Sequence, residues 1–365
     1  MDQIVGHVGI DTSKDNLVCT FVKRLSDKAS WRGTFSNDDS GFLQVLEKTP
    51  SDVAFVIEPT GNYSLGFVKY ATAVGRPVLM APPRKAKSFL QSVQSRAKTD
   101  KIDSCGLALF AQSRELKPYP LKSATVQEVD ELLSARKGLT NAITSLGQQS
   151  KALPHASSLL EPALASIKAQ LKLIDKQIAK ASKTESELWD VISHLRKVHG
   201  IGPVVAPAVA TRLVSKRFET PAQFVAYIGL DVGVAQSGKH KGQLGITKQG
   251  DAELRRLLYV AAQATLRTKS SPFKEQYKTL RASGRKHKEA ITIMARKLAK
   301  LCWSIAKNRT DFDPDRIFTR PPRTMSGVAE QDTFGQPDRS EPFTDKCDTS
   351  EVEVSVKDRK DEVNP

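Results

Sequence analysis

Cysteine is scarce and unpatterned. Cys19, Cys105, Cys302 and Cys347 lie far apart, with no CxxC spacing among them. That excludes a zinc ribbon and a disulfide framework, and it fits the reducing conditions of a cytoplasm. Long apolar runs are also missing, and no stretch is long enough to span a bilayer. The first residues, Met-Asp-Gln-Ile-Val-Gly-His-Val-Gly-Ile, carry no basic leader, and their apolar run ends at Asp11. Neither a signal peptide nor a membrane partner is expected.

Negative charge is in deficit. Lys and Arg number 56 against 40 Asp and Glu, a formal net charge of +16. The deficit is uneven: residues 311–365 hold eight basic and fourteen acidic side chains, so the first 310 residues carry +22. A body that basic attracts polyanions, nucleic acid first and a membrane surface second, although surplus Lys and Arg also serve solubility. At 365 residues, 39% hydrophobic and 26% charged, the chain has room for two or three folded domains.

What is present begins with β-branched, strand-like segments at 4–10, 16–23 and 30–35 joined by short polar turns, which suggests an antiparallel meander. A helix at 40–47, a strand at 53–57, a helix at 63–74 and a strand at 76–80 follow, implying parallel strands with helices packed on the sheet. Three antiparallel strands and then α-β-α-β-α is the ribonuclease H-like order. In that order Asp11 ends the first strand and Glu58 the fourth, at the sheet edge where ligand sites of open α/β folds lie. Asp100 and Asp103, three residues apart at the head of an apolar run, share one helix face. Each acid has a plainer reading. Asp100 and Asp103 suit a helix N-terminus, and Asp11 and Glu58 suit turns. Brought together, however, four carboxylates repel unless a cation lies between them, and oxygen-only ligands favour Mg²⁺ or Mn²⁺ over zinc. Lys98 and Lys101 flank the pair, with Arg84, Lys85, Lys87 and Arg96 upstream, where a phosphate backbone would approach; a solvated face is the other reading.

From about 127 to 191, apolar residues recur at three- and four-residue steps around a break at Lys151-Ala-Leu-Pro-His-Ala, as in an antiparallel helical hairpin or coiled-coil arm suited to self-association or to packing on its own chain. Val198-His-Gly-Ile-Gly-Pro resembles the turn of a helix-hairpin-helix element, whose glycines, here Gly200 and Gly202, let backbone N–H groups approach phosphate. His194 and His199 beside it read as structural. Residues 227–250 form a glycine- and lysine-rich stretch, expected as a flexible basic loop, containing Ser237, Lys239, Lys241 and Lys248. A basic helix with Arg255 and Arg256 follows, then another at 286–308. On its residues alone Ser237 is an ordinary loop serine, and Ser283 is a weaker candidate of the same kind. Beyond Asp311 periodicity is lost in a Pro-, Ser-, Thr- and acid-rich tail, expected to be disordered.

Gly9-Ile-Asp11-Thr-Ser-Lys, Ile57-Glu58-Pro-Thr-Gly-Asn-Tyr63, Lys98-Thr-Asp100-Lys-Ile-Asp103, and Ser237-Gly-Lys with Gly245-Ile-Thr-Lys-Gln-Gly-Asp251-Ala-Glu-Leu-Arg-Arg together resemble the DEDD insertion-sequence transposases, which include the Piv and MooV DNA invertases. The resemblance implies an α/β plus α architecture: a RuvC-like (ribonuclease H-like) domain over 1–120, a helical arm over 121–192 and a mainly helical transposase domain over 193–310, ahead of the tail at 311–365. It implies a metal-binding tetrad of Asp11, Glu58, Asp100 and Asp103 and a nucleophile at Ser237, where Gln236-Ser237-Gly238 replaces the more common Ser-Ser-Gly. Its expected partners are DNA, a second copy or copies of the chain in a dimer or tetramer, and, as in some relatives, a noncoding guide RNA. The expected setting is the bacterial nucleoid. A junction-resolving nuclease needs the same acids without the serine, and a non-catalytic nucleic-acid-binding protein needs neither.

Overall fold

Alternation builds the first sheet. In β1 (Gly6–Thr12), Val8 and Ile10 are fully buried on one face, while Gly9 and Asp11 fall on the other. The computed structural model describes residues 4–24, 29–59, 61, 63–93, 100–237, 240–268 and 271–316, and it excludes the side chains of 93, 100, 101 and 234–244. β1 pairs antiparallel with β2 (Asn16–Val22), and β2 with β3 (Trp31–Ser36). On its other side β1 runs parallel to β4 (Val53–Ile57), which pairs with β5 (Val78–Met80). The order β3-β2-β1-β4-β5 is the ribonuclease H-like arrangement expected from the sequence.

The helices α1 (Asp39–Lys48) and α2 (Leu65–Ala73) cover one face. They bury Phe42, Val45 and Phe67 against Val8, Ile10, Phe55 and Ile57, with the Phe55 and Phe67 rings edge to face at 5.0 Å. The opposite face carries α3 (Pro83–Val93) and α4 (Asp100–Gln112), where Ala86, Leu107, Phe110 and Ala111 cluster with Val56. The helix α3 was not anticipated. Its basic residues hid a face on which Ala86 is buried and Phe89 packs on Phe110.

The long helices α5 (Ala124–Ala152) and α6 (Pro154–Ala181) break at Leu153 and double back as an antiparallel hairpin. Arg136 Nε meets Asp175 at 2.6 Å, and the Ser150 and Ser157 hydroxyls meet at 2.8 Å. Burial is confined to the base, at Val126, Val129, Ile178 and Ala181, while Leu159 farther out is 79% exposed. The boundary expected at 192 falls inside α7 (Ser186–Leu195), whose Leu188, Val191, Ile192 and Leu195 are buried.

The remaining helices are α8 (Val205–Ser215), α9 (Pro221–Ile228), α10 (Ala252–Thr265), α11 (Pro272–Ala282) and α12 (His287–Asn308). The stretch expected as a flexible loop is instead an antiparallel ribbon, β6 (Val232–Ser237) with β7 (His240–Ile246). Val232 opposite Ile246 and Val234 opposite Gln243 bring three β-branched residues into the pairing despite the glycines. The described residues all fall within one compact unit. The expected disordered tail lies outside the described residues beyond 316, but its first residues are ordered: Asp311 and Phe312 make side-chain contacts, and Pro314–Arg316 is a 3₁₀ turn.

Candidate active site

Three of the four predicted acids are placed by packing that can be followed residue by residue. Gly9 pairs with Val56 across the parallel β1–β4 ladder. Two residues on, past the last paired residues Ile10 and Ile57, Asp11 and Glu58 stand on adjacent strands at the same edge. Val56 packs with Leu107 of α4, so its face is the α4 face, and period-two alternation puts Glu58 there as well. Gly9 and Asp11 share that face. A methyl group on Gly9 would lie 1.9 Å from the Ser104 carbonyl oxygen and 2.6 Å from the Ala108 nitrogen, so α4 lies directly on the strand and only glycine fits beneath it.

The direction of α4 follows from its contacts. The Ser104 hydroxyl meets the buried Thr20 hydroxyl at 2.8 Å, level with Gly9. At the other end, Gln112 donates to the Val22 carbonyl at 2.9 Å, level with His7. The helix therefore runs opposite to β1, and its N-terminus points to the edge holding Asp11 and Glu58. Asp100 precedes Ser104 by four residues, about 6 Å of helix. Asp11 follows Gly9 by two, about 7 Å of strand. The two thus come level. Asp103 occupies the helical stripe of Leu107, which faces the sheet. Asp11, Glu58 and Asp103 are all partly exposed.

Asn37 joins the segments that leave these strands. Its side-chain amide donates to the Ser13 carbonyl at 2.8 Å and to the Tyr63 carbonyl at 3.0 Å, tying the turn after Asp11 to the loop after Glu58. The donor set, carboxylate oxygens alone, fits a hard divalent cation. Among the described residues no three such groups lie close enough to share an ion, and the Asp100 side chain is outside that set.

Ser237 closes β6 and pairs with His240 across Gly238 and Lys239. The ribbon is anchored at its base. Thr247 N–H donates to the Asp231 carbonyl, Lys248 N–H to that of Gly229, and Asp251 N–H to that of Tyr227, at 2.9 to 3.1 Å. Asp251 then caps α10 through Leu254 N–H and accepts from Arg212 Nε at 3.1 Å. Arg212 also reaches Asp130 at the base of α5, and the three side chains are 22%, 15% and 15% exposed. Burial opposes the Arg212 charge, but Asp130 and Asp251 outweigh it and raise its pKa. Among the described residues the ribbon makes no substantial packing contact with β1, β4 or α4.

The expected nucleic-acid contacts fare differently from one another. Arg255 donates to the Ile228 carbonyl at 2.7 Å and supports the α9 terminus, while Arg256 is exposed but paired with Glu253 at 2.6 Å. Lys248 is exposed. Gly200, at φ +85°, is pressed on the Ala261 carbonyl of α10, whereas Gly202 has open space beside it. Lys98 and Lys239, and the side chains of Lys101 and Lys241, lie outside the described residues.

A transposase profile named for the DEDD motif and IS110 matches residues 8–154, and a second, described as "Transposase IS116/IS110/IS902 family", matches residues 192–278. The chain belongs to the IS116/IS110/IS902 transposase family. The first match spans the carboxylate edge and the second the ribbon with Ser237. Two relatives are each 24% identical over 318 residues, covering 84% of this chain and 97% of their own: the pilin gene-inverting proteins of Moraxella bovis and Moraxella lacunata. Among solved structures, T. thermophilus RuvC in complex with a Holliday junction substrate aligns with 31% of this chain and 98% of its own, at 17% identity and TM-score 0.26. No described helix of this transposase-family chain is long and apolar enough to cross a membrane. Gly9, Asn37 and Arg212 escaped the sequence reading. A glycine two residues before a strand-end Asp was the only visible signal, since the other two act through contacts distant in sequence.

Proposed function

We propose that this protein is a DNA recombinase of a mobile element, which cleaves and rejoins DNA by phosphoryl transfer in the bacterial cytoplasm. Asp11, Glu58, Asp100 and Asp103 would hold Mg²⁺ or Mn²⁺. A bound divalent ion would polarise the scissile phosphate and neutralise charge developing on its oxygens. Ser237 Oγ attacks the phosphorus and gives its proton to water, a phosphoserine ester forms, and the DNA sugar oxygen leaves and takes up a proton; a DNA hydroxyl then attacks that ester, losing its proton to water, a new phosphodiester forms, and the serine oxygen leaves and is reprotonated. The basic body holds the phosphodiester backbone during both steps. The carboxylate edge and Ser237 would belong to different copies of the chain in a dimer or tetramer, a reading supported by the sparsely buried α5–α6 hairpin and, among the described residues, by the lack of substantial packing between edge and ribbon. As in some relatives, a noncoding RNA would pair with the DNA.

The observation that carries this reading is the in-register placement of Asp11 and Glu58 beneath the N-terminus of α4, in a chain of this family. The test is strand exchange on a plasmid carrying the element ends, with and without the adjoining transcript. Ser237→Ala should abolish exchange and the DNA-linked protein band on a denaturing gel. Full exchange by that variant would remove Ser237 as nucleophile, and metal-dependent hydrolysis without a linked band would favour a junction-resolving nuclease instead.

A further inference from the structure

The α7–α8 turn carries a bound anion that belongs to the chain itself. Lys197 Nζ donates to both Asp311 carboxylate oxygens at 2.6 Å, and His194 Nδ1 lies 2.7 Å from the same carboxylate. Next to Asp311, the Phe312 ring rests on the His199 imidazole, centroids 5.1 Å apart. The segment is tied down by Arg309, which turns left-handed at the end of α12 (φ +51°) and pairs with Glu187 at 3.0 Å and Asp190 at 3.4 Å. Asp190 also approaches His194 Nε2 at 3.5 Å.

Three features around this carboxylate suit a phosphate. The turn is held rigidly from behind, because Gly200 is pressed on α10. Its outer side is open at Gly202, and no side chain caps the N-terminus of α8, which begins three residues later at Val205. Lys197 and His194 already present donors to an anion, and the Asp311 carboxyl is held below its usual range, first by the Lys197 hydrogen bond and then by that of His194. Lys197 and Asp311 are both more than half exposed, so solvent screens the pair and a competitor with more charge and more acceptor oxygens can replace it. Asp311 and Phe312 together present an anion beside a flat ring, the same pairing of groups as one nucleotide.

We propose that the notch formed by His194 and Lys197 beside the α7–α8 turn is a phosphodiester site for nucleic acid, and that Asp311 occupies it in the free protein. Nucleic acid enters by displacing residues 311–316, so the start of the acidic extension sets the affinity of the body it leaves. This rests on the reading that the protein binds DNA.

The test measures binding of a labelled oligonucleotide duplex by fluorescence anisotropy across a salt series, using the full chain. Asp311→Asn should lower Kd by about 3–10-fold. Asp315→Asn makes the same charge change away from the turn and should stay within about two-fold of the unaltered protein. Lys197→Gln placed on Asp311→Asn should cancel the gain. Equal affinities for the Asp311 and Asp315 variants, or a gain that survives loss of Lys197, would overturn the proposal while leaving DNA binding intact. Failure of every protein to bind duplex at any salt would sink the DNA reading itself, and this site with it.

Discussion

The carboxylate edge and the serine ribbon are built in opposite ways. At the edge, a parallel ladder sets Asp11 against Glu58, a glycine lets α4 lie directly on the strand, and Asn37 ties the emerging loops together. Among the described residues the ribbon is fastened at its base, through Asp251, Gly229 and the Arg212 ion pairs, and Ser237 stands at its far end. Several carboxylates must converge to about an ångström to share a cation, and only packed elements hold that tolerance. A single nucleophile needs reach instead. In the proposed reaction, where the two would meet at one phosphate, a rigid edge and a projecting arm would divide the work.

Three substitutions, the first paired with a control at a second glycine, probe that division in descending order of effect. Gly9→Ala forces a methyl into the Ser104 carbonyl, so α4 must lift from β1. We expect unfolding free energy to fall by about 2 kcal/mol, as in overpacked cores. Strand cleavage should drop about 100-fold as Asp103 leaves its position. Gly138→Ala in the exposed part of α5, where nothing lies within 4 Å, should instead stabilise by about 0.5–1 kcal/mol in the same denaturant titration. Equal effects at the two glycines would break the claim that the edge is set by close packing.

Arg212→Met tests the ribbon's anchorage. It takes the shared partner from Asp130, which keeps Lys122, and from Asp251, which keeps the Leu254 N–H, and removing one member of a largely buried set is costly, here about 2 kcal/mol after allowance for partial exposure. Exchange should fall about ten-fold while metal binding at the edge is unchanged. A matching loss of metal affinity would show that the two regions are not independent. Asn37→Ala has the mildest expected effect. Loss of both amide hydrogen bonds should raise the Mg²⁺ concentration for half-maximal cleavage about 3–10-fold, with the maximal rate recovered at saturating metal. An unchanged metal requirement would reduce Asn37 to an ordinary loop residue.

The sheet was legible because its pattern is local. Val8 and Ile10 alternate with Gly9 and Asp11, and the run Val53–Ile57 ends directly at Glu58. The break between α5 and α6 was legible for the same reason, since Leu153-Pro154 interrupts two periodic runs. Where local signals conflicted the reading failed: basic residues obscured α3, and glycine and lysine made the β6–β7 ribbon look like a loop. Contacts between distant positions left no trace at all. Asn37 lies 24 residues from Ser13, Arg212 lies 82 from Asp130, and Asp311 lies 114 from Lys197. Polar side chains of this kind look like ordinary surface until folding supplies their partners.

Residues from β1, β4 and α4 would together form one metal site. Calorimetric titration of the full chain with Mn²⁺ tests it most directly, comparing the unaltered protein with Asp11→Asn and Asp103→Asn. Binding should be saturable, and either substitution should weaken it by at least about ten-fold without loss of thermal stability, because each also relieves repulsion between carboxylates. Undiminished Mn²⁺ affinity in both variants would contradict it.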